Sequence, residues 1–245
     1  GAVLRVVFQN GKGNVLDAAV IDALRAILAR AATSPGLRCV VLEGQGRHFS
    51  FGASVAEHAP DQVGAMLPRF HALIRDLVHL DVPLLALVRG QCLGGGLEVA
   101  ACCSWIVAEE DAWFGQPEIK LGVIAPAGSV LLPARLAPAV AEDLLLTGRS
   151  IDAAEAKSVG LVSDVFGVGR AEEGLRDWLA ANILPRSAAA LRFALHAVRA
   201  PLRSAVDRRL QFVEDLYLDQ LMATADAPEG IAAFLEHREP TWTHR

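Results

Sequence analysis

Residues Leu84 to Gly122, LLALVRGQCLGGGLEVAACCSWIVAEEDAWFGQPEIKLG, decide how the rest of the chain is read. Leu84 to Val88 is a short apolar run between Pro83 and Gly90, the pattern of a buried strand. The glycines Gly94, Gly95 and Gly96 follow, and Leu97 to Cys102 then reads as a helix. A strand that passes through glycines straight into a helix leaves unpaired N–H groups at the helix start, at the positive end of its dipole. Glycine lets a ligand approach that backbone closely. Such a turn stabilises an anion, or a carbonyl oxygen that becomes anionic during a reaction. Glu98 lies in the first helical turn, and Glu118 follows Phe114-Gly115-Gln116-Pro117. Two carboxylates in apolar sequence near such a turn suggest acid and base chemistry at a polarised carbonyl. Taken singly, each feature has a plainer explanation. An acid in a first helical turn commonly just complements the dipole, and a triple glycine can be a tight turn. The spacing lacks the G-x-G-x-x-G of a dinucleotide loop, which argues against a nicotinamide site.

The same logic recurs along the chain. Phe49 to Val55 has β-forming residues, a glycine turn and the start of helical sequence, so strand, loop, second strand, glycine and helix repeat at Cys39 to His58 and at Leu84 to Cys103. The pattern returns in part at Ile106 to Leu121, a weak internal repeat of ββα units. Stacked as a spiral, such units place their glycine turns side by side, and N–H groups from two turns can converge on one oxygen.

The paired stretches Gly94-Gly95-Gly96-Leu97-Glu98 and Phe114-Gly115-Gln116-Pro117-Glu118, with Leu121-Gly122, closely resemble the enoyl-CoA hydratase (crotonase) family. The similarity runs from Asn14-Val15-Leu16 to Glu229-Gly230-Ile231. It implies an α/β fold, a crotonase-like spiral of stacked ββα units over residues 1–168, with a C-terminal helical lobe over residues 169–245 that assembles subunits into a homotrimer or a dimer of trimers. It also implies an acyl-CoA substrate, with coenzyme A as part of that substrate and no separate cofactor. Matched residue by residue, it makes the Ala53 and Gly95 N–H groups the oxyanion-hole donors and Glu98 and Glu118 the catalytic pair, with base and acid unassigned. Ala53, Ser54, Val55, Ala56, Gly95 and Pro126 are the expected substrate-binding positions. Relatives usually carry Asp after the oxyanion residue, where this chain has Ser54. Pro126 stands in place of a glycine, and Val130-Leu131-Leu132 in place of a polar Thr-Gln-Arg end. These departures imply a stiffer, more apolar wall, and with Phe51-Gly52-Ala53-Ser54 they resemble the cyclohexa-1,5-diene-1-carbonyl-CoA hydratases of anaerobic aromatic degradation. The implied reaction is hydration of an α,β-unsaturated acyl-CoA. An enoyl-CoA isomerase and a catalytically silent scaffold are the alternatives.

Composition agrees with a folded enzyme. The chain has 245 residues, 53% of them hydrophobic, enough for a sizeable core. A net charge of −5 without a basic tract argues against nucleic acid as a partner. No apolar run matches a membrane span and the opening residues lack the pattern of a signal peptide, so the expected compartment is the cytoplasm. Cys39, Cys92, Cys102 and Cys103 show no C-x-x-C spacing and read as buried reduced thiols, and no metal set emerges from them or the seven histidines. His48 and His58 flank the first glycine turn and could titrate near the site, or be solvated loop residues.

The remaining elements follow from periodicity. Val3 to Phe8 is expected as a strand, and Asp17 as the cap of an apolar-periodic helix that ends before Ser34. Pro60 to Leu80 reads as an amphipathic helix whose apolar stripe belongs to the core and, on the resemblance, partly walls the acyl pocket. Asp152 with Glu155 reads as a reciprocal helix cap. Helices are expected over Ala171–Leu184, Ser187–Arg199, Ala205–Ala225 and Pro228–Arg238. Arg238 lies where a basic residue could meet a phosphate of coenzyme A, or simply be solvated.

Overall fold

A computed structural model describes residues 1–245. Its framework is a five-stranded parallel sheet made of β1 (Val3–Phe8), β2 (Cys39–Gly44), β3 (Leu84–Val88), β5 (Trp105–Glu109) and β8 (Asp164–Phe166), in the order β1-β2-β3-β5-β8. Every residue of β2 and β3 is buried, as befits parallel strands covered on both faces. Alternation divides the side chains between two cores. Val40, Leu42, Leu84, Ala86 and Val88 enter the main core, while Cys39, Val41, Leu85 and Leu87 face Leu175 and Leu179 of α7 (Ala171–Asn182).

A second, smaller sheet gives the spiral its other edge. β4 (Gln91–Leu93) pairs in parallel with β6 (Trp113–Gly115), which pairs antiparallel with β7 (Ser150–Asp152). Ser50 bridges Cys92, and Cys92 pairs with Phe114. Each ββ turn therefore stacks on the next, and the expected repeat is present. The first repeat is the least regular: Phe49 to Val55 holds its neighbours through isolated bridges rather than a strand, and only a 3₁₀ turn, Ala56–His58, follows.

Helices cover the spiral. Asp17 Oδ1 accepts from Val20 N at 3.0 Å and starts α1 (Ala18–Ala32). α2 (Val63–His79) buries the expected stripe, including Met66, Leu67 and Phe70, and also His71, whose Nδ1 lies 2.5 Å from Glu214 Oε2. Burial holds His71 below its ordinary pKa, against the pull of Glu214. α4 (Gly128–Leu131) and α5 (Pro138–Thr147) follow the second glutamate. Asp152 caps α6 (Ala153–Ser158) through Glu155 N at 2.8 Å. The reciprocal half of that cap is not made, because Glu155 pairs with Arg149 instead.

The C-terminal helices differ most from expectation. Two helices separated near Pro201 were expected, and the chain instead forms one helix, α8 (Ala188–Asp215), with Pro201 inside it. Pro cannot donate to the helix ladder and normally breaks it. Buried arginines on either side anchor this one: Arg199 donates to Cys102 O at 2.6 Å, and Arg203 to Val78 O at 3.2 Å and to Asp81 at 2.8 Å. α8 continues into a wide π-type turn, Leu216–Gln220, before α9 (Asp226–Leu235). Val206, Leu210, Tyr217 and Ile231 from this region lie in the same main core as the spiral. No helix is long and apolar enough to cross a membrane.

Candidate active site

The two glycine turns meet. Gly52, at φ +105°, occupies backbone space that a side chain could not share, since a Cβ there would lie 2.9 Å from Leu93 O and 3.1 Å from Gly95 N. A Cβ on Gly95 would lie 3.0 Å from Ala53 N and 3.1 Å from the Phe70 ring. The Ala53 and Gly95 amides therefore sit on adjoining turns of the spiral, as the sequence suggested. Neither donates to a protein acceptor. Gly95 opens α3 (Gly95–Ala101), so its N–H is one of the free donors of a helix start.

The acids share a cavity with these turns. Ala53, Gly95, Glu98 and Glu118 all line it, together with Met66, Leu67 and Phe70 from α2 and Pro126 and Ile124 from the segment before α4. Glu98 is buried on α3, and its Oε1 accepts from Gly128 N at 2.5 Å. Glu118 sits on a 3₁₀ turn, Pro117–Leu121, and opens toward the cavity. Its carboxyl lies over Gly94, where a Cβ would fall 2.5 Å from Oε1. The buried Gln116 amide lies 3.1 and 3.0 Å from the two Glu118 carboxylate oxygens, and assigning its nitrogen to that side makes it a donor to both.

Burial sets the protonation of the pair. It pushes Glu98 up to about 7, while the amides of Gly128 and Ala127 pull the other way. Burial, and after it the charge of Glu98, pushes Glu118 up to about 8. Two apolar-walled carboxyls that repel one another resist ionising together near neutrality.

Some expected positions fall elsewhere. Val55 and Pro126 line the cavity with Ala53 and Gly95, but Ser54 and Ala56 do not. The chain turns into its 3₁₀ segment at that point, which leaves Ala56 exposed and Ser54 O accepting from Glu57 N. Val130, Leu131 and Leu132, expected in the acyl wall, are core residues turned inward by α4 and the 3₁₀ turn after it, and the cavity is lined on that side by Val123, Ile124 and Pro126. His48 is a brace, accepting from Gln91 N at 3.1 Å and lying against the Phe51 ring. Arg238 is paired with Glu229 and Glu236.

His58 does reach the cavity. Its Nδ1 donates to Ser54 O at 2.8 Å, and burial holds it below its ordinary pKa, so it stands as a neutral imidazole with Nε2 unprotonated. Its ring lies beside Tyr217, whose hydroxyl is buried without a protein partner. Burial and then the charges of Glu118 and Glu98 push the Tyr217 hydroxyl up. Sequence reasoning passed over Tyr217, although it is the chain's single tyrosine.

A spiral of ββα turns that brings two free amides, one buried carboxyl and one half-buried carboxyl to one cavity defines a class, and the whole sequence fits it. The family model for enoyl-CoA hydratase/isomerase matches residues 1–245, and the chain belongs to that family. It is 49% identical to the cyclohexa-1,5-dienecarbonyl-CoA hydratase of Thauera aromatica, over all of this chain and 94% of that one. It is 38% identical to a probable enoyl-CoA hydratase of Rhizobium meliloti, over 95% of this chain and 90% of the relative. Among solved structures, an enoyl-CoA hydratase from Mycobacterium avium subsp. paratuberculosis superposes with a TM-score of 0.87 at 29% identity, covering 99% of this chain and 95% of that one.

Proposed function

We propose that the protein is a hydro-lyase that adds water to a conjugated cyclic acyl-CoA, cyclohexa-1,5-diene-1-carbonyl-CoA. The observation that carries hydration is the pair Glu98 and Glu118, both raised by burial, on one cavity with two unengaged amides. The narrower substrate is supported by the Thauera aromatica relative and by the Val123, Ile124 and Pro126 wall, which suits a compact ring.

In this reading the thioester oxygen accepts from Ala53 N and Gly95 N. One such donor typically contributes about 3 kcal/mol to the transition state. The ionised member of the glutamate pair takes a proton from water as its oxygen bonds to carbon β, and the electron pair moves onto the thioester oxygen as a dienolate. The protonated member then delivers its proton to the far end of the diene, so that one water is added and the pair regains its starting charge. A coenzyme A thioester supplies the reacting carbonyl, and every proton moves between the substrate, water and these two side chains.

The exposed apolar side chains of α8, Phe193, Val198 and Phe212, support assembly into a homotrimer or a dimer of trimers. The working compartment in this reading is the cytoplasm. Incubation with cyclohexa-1,5-diene-1-carbonyl-CoA and with crotonyl-CoA, followed by product mass, tests the reaction. A gain of one water, faster for the cyclic substrate, is expected. A moved double bond at unchanged mass would make the protein an isomerase, and no turnover of either would leave a scaffold.

A further inference from the structure

Ser50, which has no part in the proton transfers, lies where the two oxyanion turns are joined. Its side chain is wholly buried. The hydroxyl donates to Asn14 O at 2.8 Å and accepts from Gly52 N at 3.0 Å. Its backbone is tied to the other turn, with Ser50 N donating to Gln91 O at 3.0 Å and Ser50 O accepting from Leu93 N at 2.9 Å. Its Cβ is pressed against Gly96, where a side chain would come within 2.7 Å. One residue thus touches the segment before Ala53 and both flanks of Gly95.

The consequence lies in the Gly52–Ala53 peptide. Gly52 O accepts from Leu16 N at 2.9 Å, and no peptide bond in the chain is cis. In a planar trans peptide the carbonyl and the following N–H point in opposite directions, so anchoring Gly52 O aims Ala53 N–H away from Leu16. Ala53 lines the cavity, and its amide has no protein acceptor. Gly52, at φ +105°, would otherwise be free to swing. The Ser50 hydroxyl holds the preceding peptide and Leu16 the following one. Asn14, the acceptor for Ser50, is itself fixed, since its side-chain amide donates to Gln45 O at 2.9 Å and His48 O at 2.8 Å.

We infer that Ser50 is the positioning residue of the oxyanion hole: its hydroxyl fixes the turn that aims Ala53 N–H, while its backbone and Cβ hold that turn against Gly95, so that both amides meet one carbonyl oxygen. The inference rests on the assignment of Ala53 and Gly95 as donors to the thioester.

The test reads the carbonyl itself. Benzoyl-CoA labelled with ¹³C at the thioester carbon presents a ring and a carbonyl that is not hydrated. Infrared difference spectra of its complex report how strongly that carbonyl is polarised. With the wild-type protein the carbonyl band moves to lower wavenumber on binding. Ser50→Ala is expected to bind with an affinity within a few-fold of wild type yet to lose much of that shift, and to hydrate its substrate roughly 10- to 100-fold more slowly at little-changed KM, as a small misplacement of a catalytic group does. Ser50→Cys, with a weaker donor and acceptor of similar shape, is expected to fall between the two, and it carries the test if the alanine variant does not fold. A full carbonyl shift and wild-type kcat in whichever variant folds would overturn the role of Ser50. A wild-type complex with no shift at all would instead overturn the assignment of Ala53 and Gly95.

Discussion

The two turns that offer amides to the cavity have one chemical task in the proposed mechanism, and their geometry is set by different means. At Leu93 to Glu98 a strand runs directly into α3, so Gly95 N–H is a helix-start donor whose direction comes from the helix and whose attraction for negative charge comes from its dipole. At Ser50 to Ala53 there is neither strand nor helix, and the direction of Ala53 N–H comes from a side-chain hydroxyl and a bond to Leu16. A donor set by backbone periodicity is vulnerable at its glycines, and a donor set by a side chain is vulnerable to the loss of one oxygen. The two carboxyls follow the same division. Glu98 rides on the helix and is held by Gly128 N, whereas Glu118 rides on a short 3₁₀ turn and depends on Gln116 and on the open space over Gly94.

The largest effect is expected where the comparison should vanish. In the proposed mechanism Glu98→Gln and Glu118→Gln each remove a proton carrier, and each should lower kcat by roughly 100- to 10,000-fold, as general acid–base groups do, while benzoyl-CoA still binds by calorimetry. Gly94→Ala sharpens the contrast. A Cβ there meets Glu118 Oε1 at 2.5 Å on a residue at φ +50°, so the acid must move, and kcat should fall about 100-fold without any ionisable group being altered. Steady-state kinetics with the folded variant checks this, and unchanged kcat would show that Glu118 does not need its place over Gly94. Pro126→Gly should have a smaller effect, shifting the ratio of kcat/KM for cyclic over linear acyl-CoA by about 10-fold, the scale of a change in apolar pocket contacts. An unaltered ratio would remove Pro126 from substrate selection.

The smallest effect is on stability, and its sign follows from the raised carboxyls. Both folded-state values, about 7 and about 8, lie above the ordinary carboxyl value of 4.5. The native state therefore keeps protons that the unfolded chain has released, and stability falls as pH rises through that window. A glutamine has no charge to bury. Glu118→Gln should unfold a few degrees above wild type at about pH 9, and the difference should shrink toward pH 4.5. Thermal melts across pH check it, and a constant difference would mean that the carboxyl is not destabilised by ionising in the fold.

What could be read from the sequence follows the same division. The turn at Gly94 to Glu98 was legible because its geometry is written in local residue types, three glycines and a helix-forming run. The repeat suggested that two glycine turns converge, but the pairing of Ala53 with Gly95 came from the family resemblance, since no residue at Phe49 to Val55 signals that contact by itself. Ser54 and Ala56 lie off the cavity lining, where the chain leaves through a 3₁₀ turn that has no distinct sequence pattern. Pro201 pointed locally to a helix end, and distant carbonyls at Val78 and Cys102, satisfied by Arg203 and Arg199, reversed that preference. Gly128 N and Tyr217, both near the glutamates, come from segments brought there only by tertiary packing, where spacing along the chain carries no information.

The central claim is that two amides from neighbouring turns share one carbonyl oxygen while two carboxyls flank one water. A crystal structure of the protein with bound cyclohexanecarbonyl-CoA, a saturated ring thioester that cannot react, tests it most directly. The account predicts the thioester oxygen within hydrogen-bonding distance of both Ala53 N and Gly95 N, with a water held between Glu98 and Glu118 on the face of the ring. A carbonyl bound to only one of those amides, or a ring lodged away from both carboxyls, would contradict it.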